Sequence, residues 1–145
     1  MEKSADIYRL LIEGNHSLVI RTTQGQILTF DGRGVIDLYR LYIRNPEILS
    51  GAEVADKAVG LGAATLMALG GISNLTTPVI SEDALRLLHD NGIMTRAEVI
   101  APYIINRLGT GRCPLEERLA PLQAQQPIDL LPTIEEFLAE KGLIG

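Results

Sequence analysis

A cysteine directly precedes a proline in the segment INRLGTGRCPLEE, and its surroundings could make its thiol reactive. If Pro114 is the first residue of a helix, Cys113 is the N-cap of that helix. The positive end of a helix favours a thiolate, and Arg107 or Arg112 nearby would act in the same direction. Cys113 is therefore a candidate nucleophile or redox group. The more ordinary alternative is a small buried residue that fills space at a turn.

Three charged residues stand close together in the otherwise small and apolar segment SGAEVADKAVGLGAATLMALGG. We predict that residues 50–71 form one buried helix, with Glu53, Asp56 and Lys57 on one side of its first turns. Glu53 fits a capping box with Ser50 and a helical ion pair with Lys57, which are structural roles. Asp56 is left without one. Asp56 and Lys57 are thus candidates for a site at the helix start, where an anion is favoured.

The two histidines give no sign of a metal site. His16 lies in a predicted loop and His89 lies late in a predicted helix, and neither has a second ligand at short spacing. Structural and catalytic zinc sites usually place ligand pairs a few residues apart. We therefore expect no bound metal, and no motif of the chain predicts a cofactor.

Composition excludes several classes of protein. The chain has 145 residues, 46% of them hydrophobic, which suits one domain with a sizeable core. Its 13 basic and 18 acidic residues contain no long basic run, so we expect no nucleic-acid partner, although a small anion could bind locally. The most apolar stretch, residues 58–72, is too short and rich in glycine for a membrane span. One cysteine and no signal-peptide pattern favour the cytoplasm.

The predicted elements alternate between helical and strand patterns. A helix is followed by a hairpin around Gln24-Gly25, a helix that stops before Pro46 and the long helix of residues 50–71. A strand then contains Pro78, which favours an edge or a bulge. A helix capped by Ser81, a strand and shorter helices complete the chain. This order predicts α/β layers around a partly parallel sheet.

The C-terminal segment differs in composition from the rest. PLQAQQPIDLLP has the composition of a linker, and the helix that follows it has apolar residues to bury. We predict a domain of residues 1–121, followed by a linker and a helical appendage in residues 122–145. The appendage should lie outside the core and dock on its own domain or on a neighbour.

The chain resembles an uncharacterised prokaryotic family known only as a domain of unknown function. Three segments together carry this resemblance: VADKAVGLGAATLMALGGI, ISEDALRLLHDNGI and INRLGTGRCPLEE. The similarity runs from about Leu18 to Leu119. It implies a cytidine-deaminase-like fold, a three-layer α/β/α sandwich with a mixed sheet. The resemblance supports a pocket but brings no known reaction with it.

The zinc deaminases provide a test of this resemblance. They take metal ligands from the starts of two helices, a His or Cys before Ala-Glu and a Pro-Cys-x-x-Cys about thirty residues later. Here Gly51 of the triplet GAE stands at the first ligand position, and the segment VISEDA at the second has no cysteine. Cys113 is too far along the chain to substitute. We therefore expect a zinc-free domain.

The sequence leaves three functions open. The first is a pocket for a small anionic or nucleoside-like ligand, which could be regulatory. The second is an enzyme that uses Cys113 as its nucleophile with help from Asp56 and Lys57. The third is a structural homo-oligomer with a vestigial pocket. The ligand-binding candidates are Glu53, Ser81, Asn106, Arg107 and Glu116.

Overall fold

A computed structural model describes residues 3–32, 35–105, 109, 111–122 and 126–144 of the chain. In chain order its elements are α1 Lys3–Glu13, β1 Leu18–Arg21, β2 Ile27–Phe30, α2 Ile36–Arg44, α3 Pro46–Leu49, β3 Glu53–Asp56, α4 Leu61–Gly70, β4 Asn74–Ser81, α5 Glu82–Asp90, β5 Met94–Ala101, α6 Pro114–Leu119, a 3₁₀ turn at Ala120–Leu122 and α7 Pro127–Glu140.

The five strands form one mixed sheet in the order β2-β1-β3-β4-β5. β1 is antiparallel to both of its neighbours, whereas β3, β4 and β5 are parallel to one another. β1 and β2 form the predicted hairpin, whose turn contains Gly25 with a φ of 87°, a conformation that favours glycine. The expected α/β architecture with a partly parallel sheet is confirmed.

Helices cover both faces of the sheet. On one face α1 packs Ile7 and Leu11 with Val19 and Ala55 of the sheet. On the other face Val54 belongs to the main core, which α2 and α4 to α7 complete. α4 is surrounded by other elements, and all its residues from Leu61 to Met67 are buried. A helix that is apolar on every side is stable only in such a position.

Residues 50–71 do not form the single helix that we predicted. Residues Glu53–Asp56 are strand β3, and helix α4 begins only at Leu61. The predicted capping box at Glu53 and its helical ion pair with Lys57 are therefore wrong. A strand that is buried within a sheet reads as a short run of small and apolar residues, and its period cannot be distinguished from that of a buried helix. Here residues 53–56 form a strand because their backbone makes hydrogen bonds to β1 and β4.

Pro78 does not mark an edge strand, because β4 lies between β3 and β5. The ladder to β5 instead skips the proline, which has no N–H to donate, and pairs Thr77 with Ala97 and Val79 with Val99. The Thr77 hydroxyl donates to the Val79 carbonyl at 3.0 Å. The side chain of Thr77 thus satisfies a backbone group beside the interruption.

The C-terminal helix α7 is part of the main core. Its side chains Leu130, Ile134 and Leu138 are buried together with those of the sheet and α4. These side chains of α7 belong to the core, contrary to the expectation that residues 122–145 lie outside it. Independent folding of residues 1–121 stays a prediction.

Candidate functional site

The carboxyl ends of the parallel strands β3, β4 and β5 lie at the same end of the sheet, next to the amino ends of α4 and α5. Ligands of α/β sheets commonly bind beyond such strand ends. A narrow cleft opens beyond these strand ends, with room for about one water molecule. Its polar lining consists of Ser81, Asp83, Tyr103, Arg112 and Glu116.

Glu116 contributes a buried carboxylate to this cleft. Its carboxylate accepts hydrogen bonds from the backbone N–H groups of Leu61 at 2.5 Å and Gly62 at 3.1 Å. Gly60, the N-cap residue of α4, has no side chain that could do this. Glu116, from a helix 55 positions further along the chain, therefore supplies the cap that α4 lacks.

Glycines at the start of α4 make room for this carboxylate. A Cβ atom at Gly60 would overlap the Glu116 carboxylate, and one at Gly62 would lie 2.7 Å from the Leu115 side chain. Real Cβ atoms do not come so close to other heavy atoms, so a side chain at either position would force the end of the Glu116 or Leu115 side chain to move. The glycine-punctuated sequence VGLGA is thus explained by the docking of α6 on α4.

The cleft is predominantly acidic. Burial raises the pKa of the Glu116 carboxyl above its usual value, its two backbone hydrogen bonds oppose this change, and the negative charge of Asp83 adds to it. Asp83 lies in the first turn of α5 and forms an ion pair with Arg86 at 3.2 Å. At the rim, the Arg112 guanidinium lies 4.7 Å from the centre of the Tyr103 ring. The cleft therefore presents two carboxylates and one cation.

Ser81 is both a helix cap and a cleft residue. It is the last residue of β4, and its hydroxyl oxygen accepts a hydrogen bond from the Ala84 N–H at 3.2 Å, as an N-cap should. The predicted cap is confirmed. Of the predicted ligand-binding residues, the structure brings Ser81 and Glu116 together in the cleft.

Asp56 lies at the end of β3, opposite Leu18 in the ladder, and its side chain is half-buried. Burial raises the pKa of the Asp56 carboxyl to about 7, and the backbone N–H groups of Ala58 and Lys57 oppose this change. A carboxyl with a pKa near neutrality is typical of functional sites, although buried structural groups also show it. Asp56 does not line the cleft.

The contacts of Lys57 and Cys113 place them apart. The Lys57 ammonium donates to the Asn15 side chain at 2.8 Å, just beyond α1. Cys113 is the N-cap of α6 before Pro114, as predicted, and is half-buried against the main core on the other side of the sheet. The structure thus does not gather Cys113 and Lys57 into one pocket.

The remaining predicted site residues also lie away from the cleft or cannot be placed. Glu53 is at the amino end of β3, and its carboxylate lies 3.9 Å from the Arg21 guanidinium on the neighbouring strand. Arg21 is also 3.9 Å from Asp6 of α1, so these charges join α1 to the sheet. Asn106 and Arg107 lie outside the described residues.

Comparison with known proteins identifies the family. A family model described as a domain of unknown function, DUF1893, matches residues 6–138. The chain belongs to the DUF1893 family. The match continues through most of α7, so it extends well beyond the limits of Leu18 and Leu119 that the sequence resemblance suggested.

The fold of this DUF1893 chain is shared with a solved relative. The crystal structure of a DUF1893 family protein (TM1506) from Thermotoga maritima has a TM-score of 0.82 and 22% sequence identity to this chain. The similarity covers 94% of this chain and 91% of the other. At this identity it shows the fold alone. No curated protein matches the chain, so homology assigns no activity.

Sequence reasoning missed Asp83 and Tyr103 as cleft residues of this DUF1893 chain, and it considered Arg112 only for its charge near the thiol. Asp83 could have been found from its place in the first helical turn after a parallel strand. Tyr103 and Arg112 have no comparable local signal.

Within the described part of the chain, no three His, Cys, Asp or Glu side chains form a group that could hold a metal ion. No helix there is long and apolar enough to cross a membrane.

Proposed function

We propose that this chain is a zinc-free, deaminase-like domain that binds a small nucleoside-like molecule in the cleft beside Glu116 and Asp83. The observation that carries the proposal is that the Glu116 carboxylate accepts hydrogen bonds from the first N–H groups of α4. It gives the cleft a fixed acidic wall at the end of the parallel strands, where ligands of layered α/β folds tend to bind.

The same observation favours one of the two ligand chemistries considered from the sequence. A helix start normally attracts anions, but here the protein's own carboxylate already binds the first two N–H groups of α4. Asp83 adds a second negative charge to the lining. A phosphate or carboxylate would be repelled, whereas the amino group of a base such as cytosine or adenine could donate to these oxygens. The Tyr103 ring offers a flat apolar surface at the rim.

The starts of the two helices support the absence of zinc chemistry. The triplet GAE, aligned above with the first deaminase ligand, ends in the first residue of strand β3 and is not at a helix start. The helix that follows β3 instead begins around Gly60 and Gly62, and the next begins with the sequence SEDA. Neither start carries the histidine or cysteine that the deaminase signature requires. Elemental analysis of untagged protein should therefore find no stoichiometric zinc, and about one zinc per chain would contradict the proposal.

The experiment that tests ligand binding is a melting-temperature and calorimetry series with four probes. Cytosine and adenine carry amino groups, uracil is a matched ring without one, and inorganic phosphate represents the anionic alternative. A ligand that binds only the folded state raises the melting temperature with its concentration. We expect cytosine or adenine to do so and expect uracil and phosphate to have no effect.

A matched pair of variants locates the site. Asp83→Asn removes a cleft carboxylate, and Glu82→Gln makes a similar change one residue earlier in α5, outside the cleft lining. Binding should weaken at least about tenfold in Asp83→Asn and stay unchanged in Glu82→Gln. Binding of phosphate alone, or equal loss in both variants, would contradict the proposal.

The narrowness of the cleft favours a second candidate, a structural protein whose pocket is vestigial. A base is much larger than the space that the cleft offers in this conformation. Binding would require Tyr103 and Arg112 at the rim to move. If none of the probes binds at millimolar concentration, this second candidate is the better description.

A further inference from the structure

Strand β5 is the outermost strand of the sheet, and no other strand among the described residues pairs with its outer edge. It has eight residues, whereas β2 at the opposite edge has four. Three of its apolar side chains are largely exposed: Met94 by 67%, Val99 by 55% and Ile100 by 54%. Edge strands are commonly protected by shortness, proline, charged side chains or a covering element. β5 is neither short nor interrupted by proline, and its two charged residues, Arg96 and Glu98, have opposite signs, so they can pair with a strand that presents the opposite charges.

The charges on β5 indicate which strand that would be. Arg96 and Glu98 are two residues apart, so they lie on the same face of the strand. The Tyr8 hydroxyl of α1 donates to Glu98, which identifies this face as the one that α1 covers. Both charged side chains are exposed. One positive and one negative group spaced in this way can complement an antiparallel copy of the same strand.

We propose that β5 pairs antiparallel with β5 of a second copy of this chain, about a twofold axis at Ala97. In this register Arg96 lies opposite Glu98 of the second copy, and the reverse pair forms on the other side of the axis. The exposed Met94 also lies opposite Ile100 of the second copy. Opposite charges and apolar pairs that face each other across antiparallel strands are stabilising. The two sheets become one continuous sheet.

Other registers lack this complementarity. An axis at Arg96 places two arginines opposite each other, and an axis at Glu98 does the same with two glutamates, which is destabilising. An axis at Thr95 or Val99 places both charges opposite residues without the complementary charge. Only the axis at Ala97 joins both charges, and it also lies near the middle of β5. The proposal is independent of whether the cleft binds a ligand.

Cysteine cross-linking tests both the dimer and its register. In a background of Cys113→Ser, Ala97→Cys should form a disulfide-linked dimer, because opposite Cα atoms of antiparallel strands are about 4.5–5.5 Å apart. Thr95→Cys and Val99→Cys should not cross-link alone, but a mixture of the two should, because position 95 faces position 99. Cross-linking at 95 or 99 alone, or none at 97, would overturn the proposed register.

A charge exchange tests the contact energetically by analytical ultracentrifugation of the full chain. Arg96→Glu or Glu98→Arg should weaken the dimer at least about tenfold, since each replaces two attractive pairs by two repulsive ones. The double exchange should restore the dissociation constant to within about threefold of the parent value. Arg40→Glu, an exposed change on α2 with the same charge difference, should have no such effect. A chain that is monomeric at all concentrations, or a double exchange that does not restore the dimer, would overturn the proposal.

Discussion

Replacing Asp56 by asparagine should stabilise the protein above neutral pH. Burial holds the pKa of folded Asp56 at about 7, compared with the ordinary value of 3.8 for an aspartate in water. Below pH 4 the carboxyl is protonated in both the folded and the unfolded chain. Above pH 7 it is ionised in both, and the folded chain then has a buried charge. The contribution of Asp56 to the unfolding free energy therefore falls as the pH rises from about 4 to about 7.

The size of this effect follows from the pKa difference. Each pKa unit corresponds to about 1.4 kcal/mol, so the full difference would be about 4 kcal/mol. Water reaches part of the Asp56 side chain, which is only half-buried, and reduces the penalty. We expect about 2 kcal/mol. An asparagine has nearly the same shape and keeps an oxygen for the Ala58 N–H without the charge.

The assay is urea unfolding followed by circular dichroism between pH 4.5 and pH 8.5. The difference in unfolding free energy between Asp56→Asn and the parent should grow with pH and reach about 2 kcal/mol in favour of the variant at pH 8.5. Glu117→Gln, an exposed change on α6, should give a difference that does not vary with pH. A pH-independent difference for Asp56→Asn, or a parent more stable than the variant at pH 8.5, would refute the reasoning.

Three further predictions concern the packing around α4, and each is checked by denaturant unfolding at fixed pH. Glu116→Ala should cost about 2 kcal/mol because it leaves two N–H groups of α4 without their acceptor; the exposed neighbour Glu117→Ala should cost less than about 0.5 kcal/mol. Gly60→Ala should cost about 2 kcal/mol because its Cβ would overlap the Glu116 carboxylate. Gly111→Ala, where a Cβ meets open space, is its control. Ile134→Ala should cost about 3 kcal/mol, because this α7 side chain is fully buried in the core that surrounds α4.

Local signals were sufficient for much of the fold. The hairpin at Gly25, the Ser81 cap and the position of Pro114 at the start of α6 depend on residues close in sequence, and the structure contains all three. The sequence resembled an uncharacterised family known as a domain of unknown function, and the chain belongs to such a family. Strand β3 was not found, because only Val54 and Ala55 of its four residues are apolar and buried, and so short a run has no distinctive period. Its pairing with β1 and β4 is tertiary information.

The cleft was only partly predictable for the same reason. Ser81 and Glu116 were named from motifs, but the contact between Glu116 and Leu61 joins residues 55 positions apart. The glycines at the start of α4, Gly60 and Gly62, gave no sign that a residue from elsewhere in the chain caps this helix. The error in the helix of residues 50–71 also moved Asp56 and Lys57 onto one helical face, whereas in the structure Lys57 contacts Asn15 beyond α1.

The position of α4 has a consequence for synthesis of the chain on the ribosome. α4 packs against α2, which is made before it, and against α6 and α7, which are made after it. Its cap, Glu116, emerges from the ribosome tunnel long after Leu61 does. Before α6 and α7 have emerged, this apolar helix lacks both its cap and the α7 side chains that cover it. The domain should therefore complete its folding only after α7 has left the ribosome tunnel.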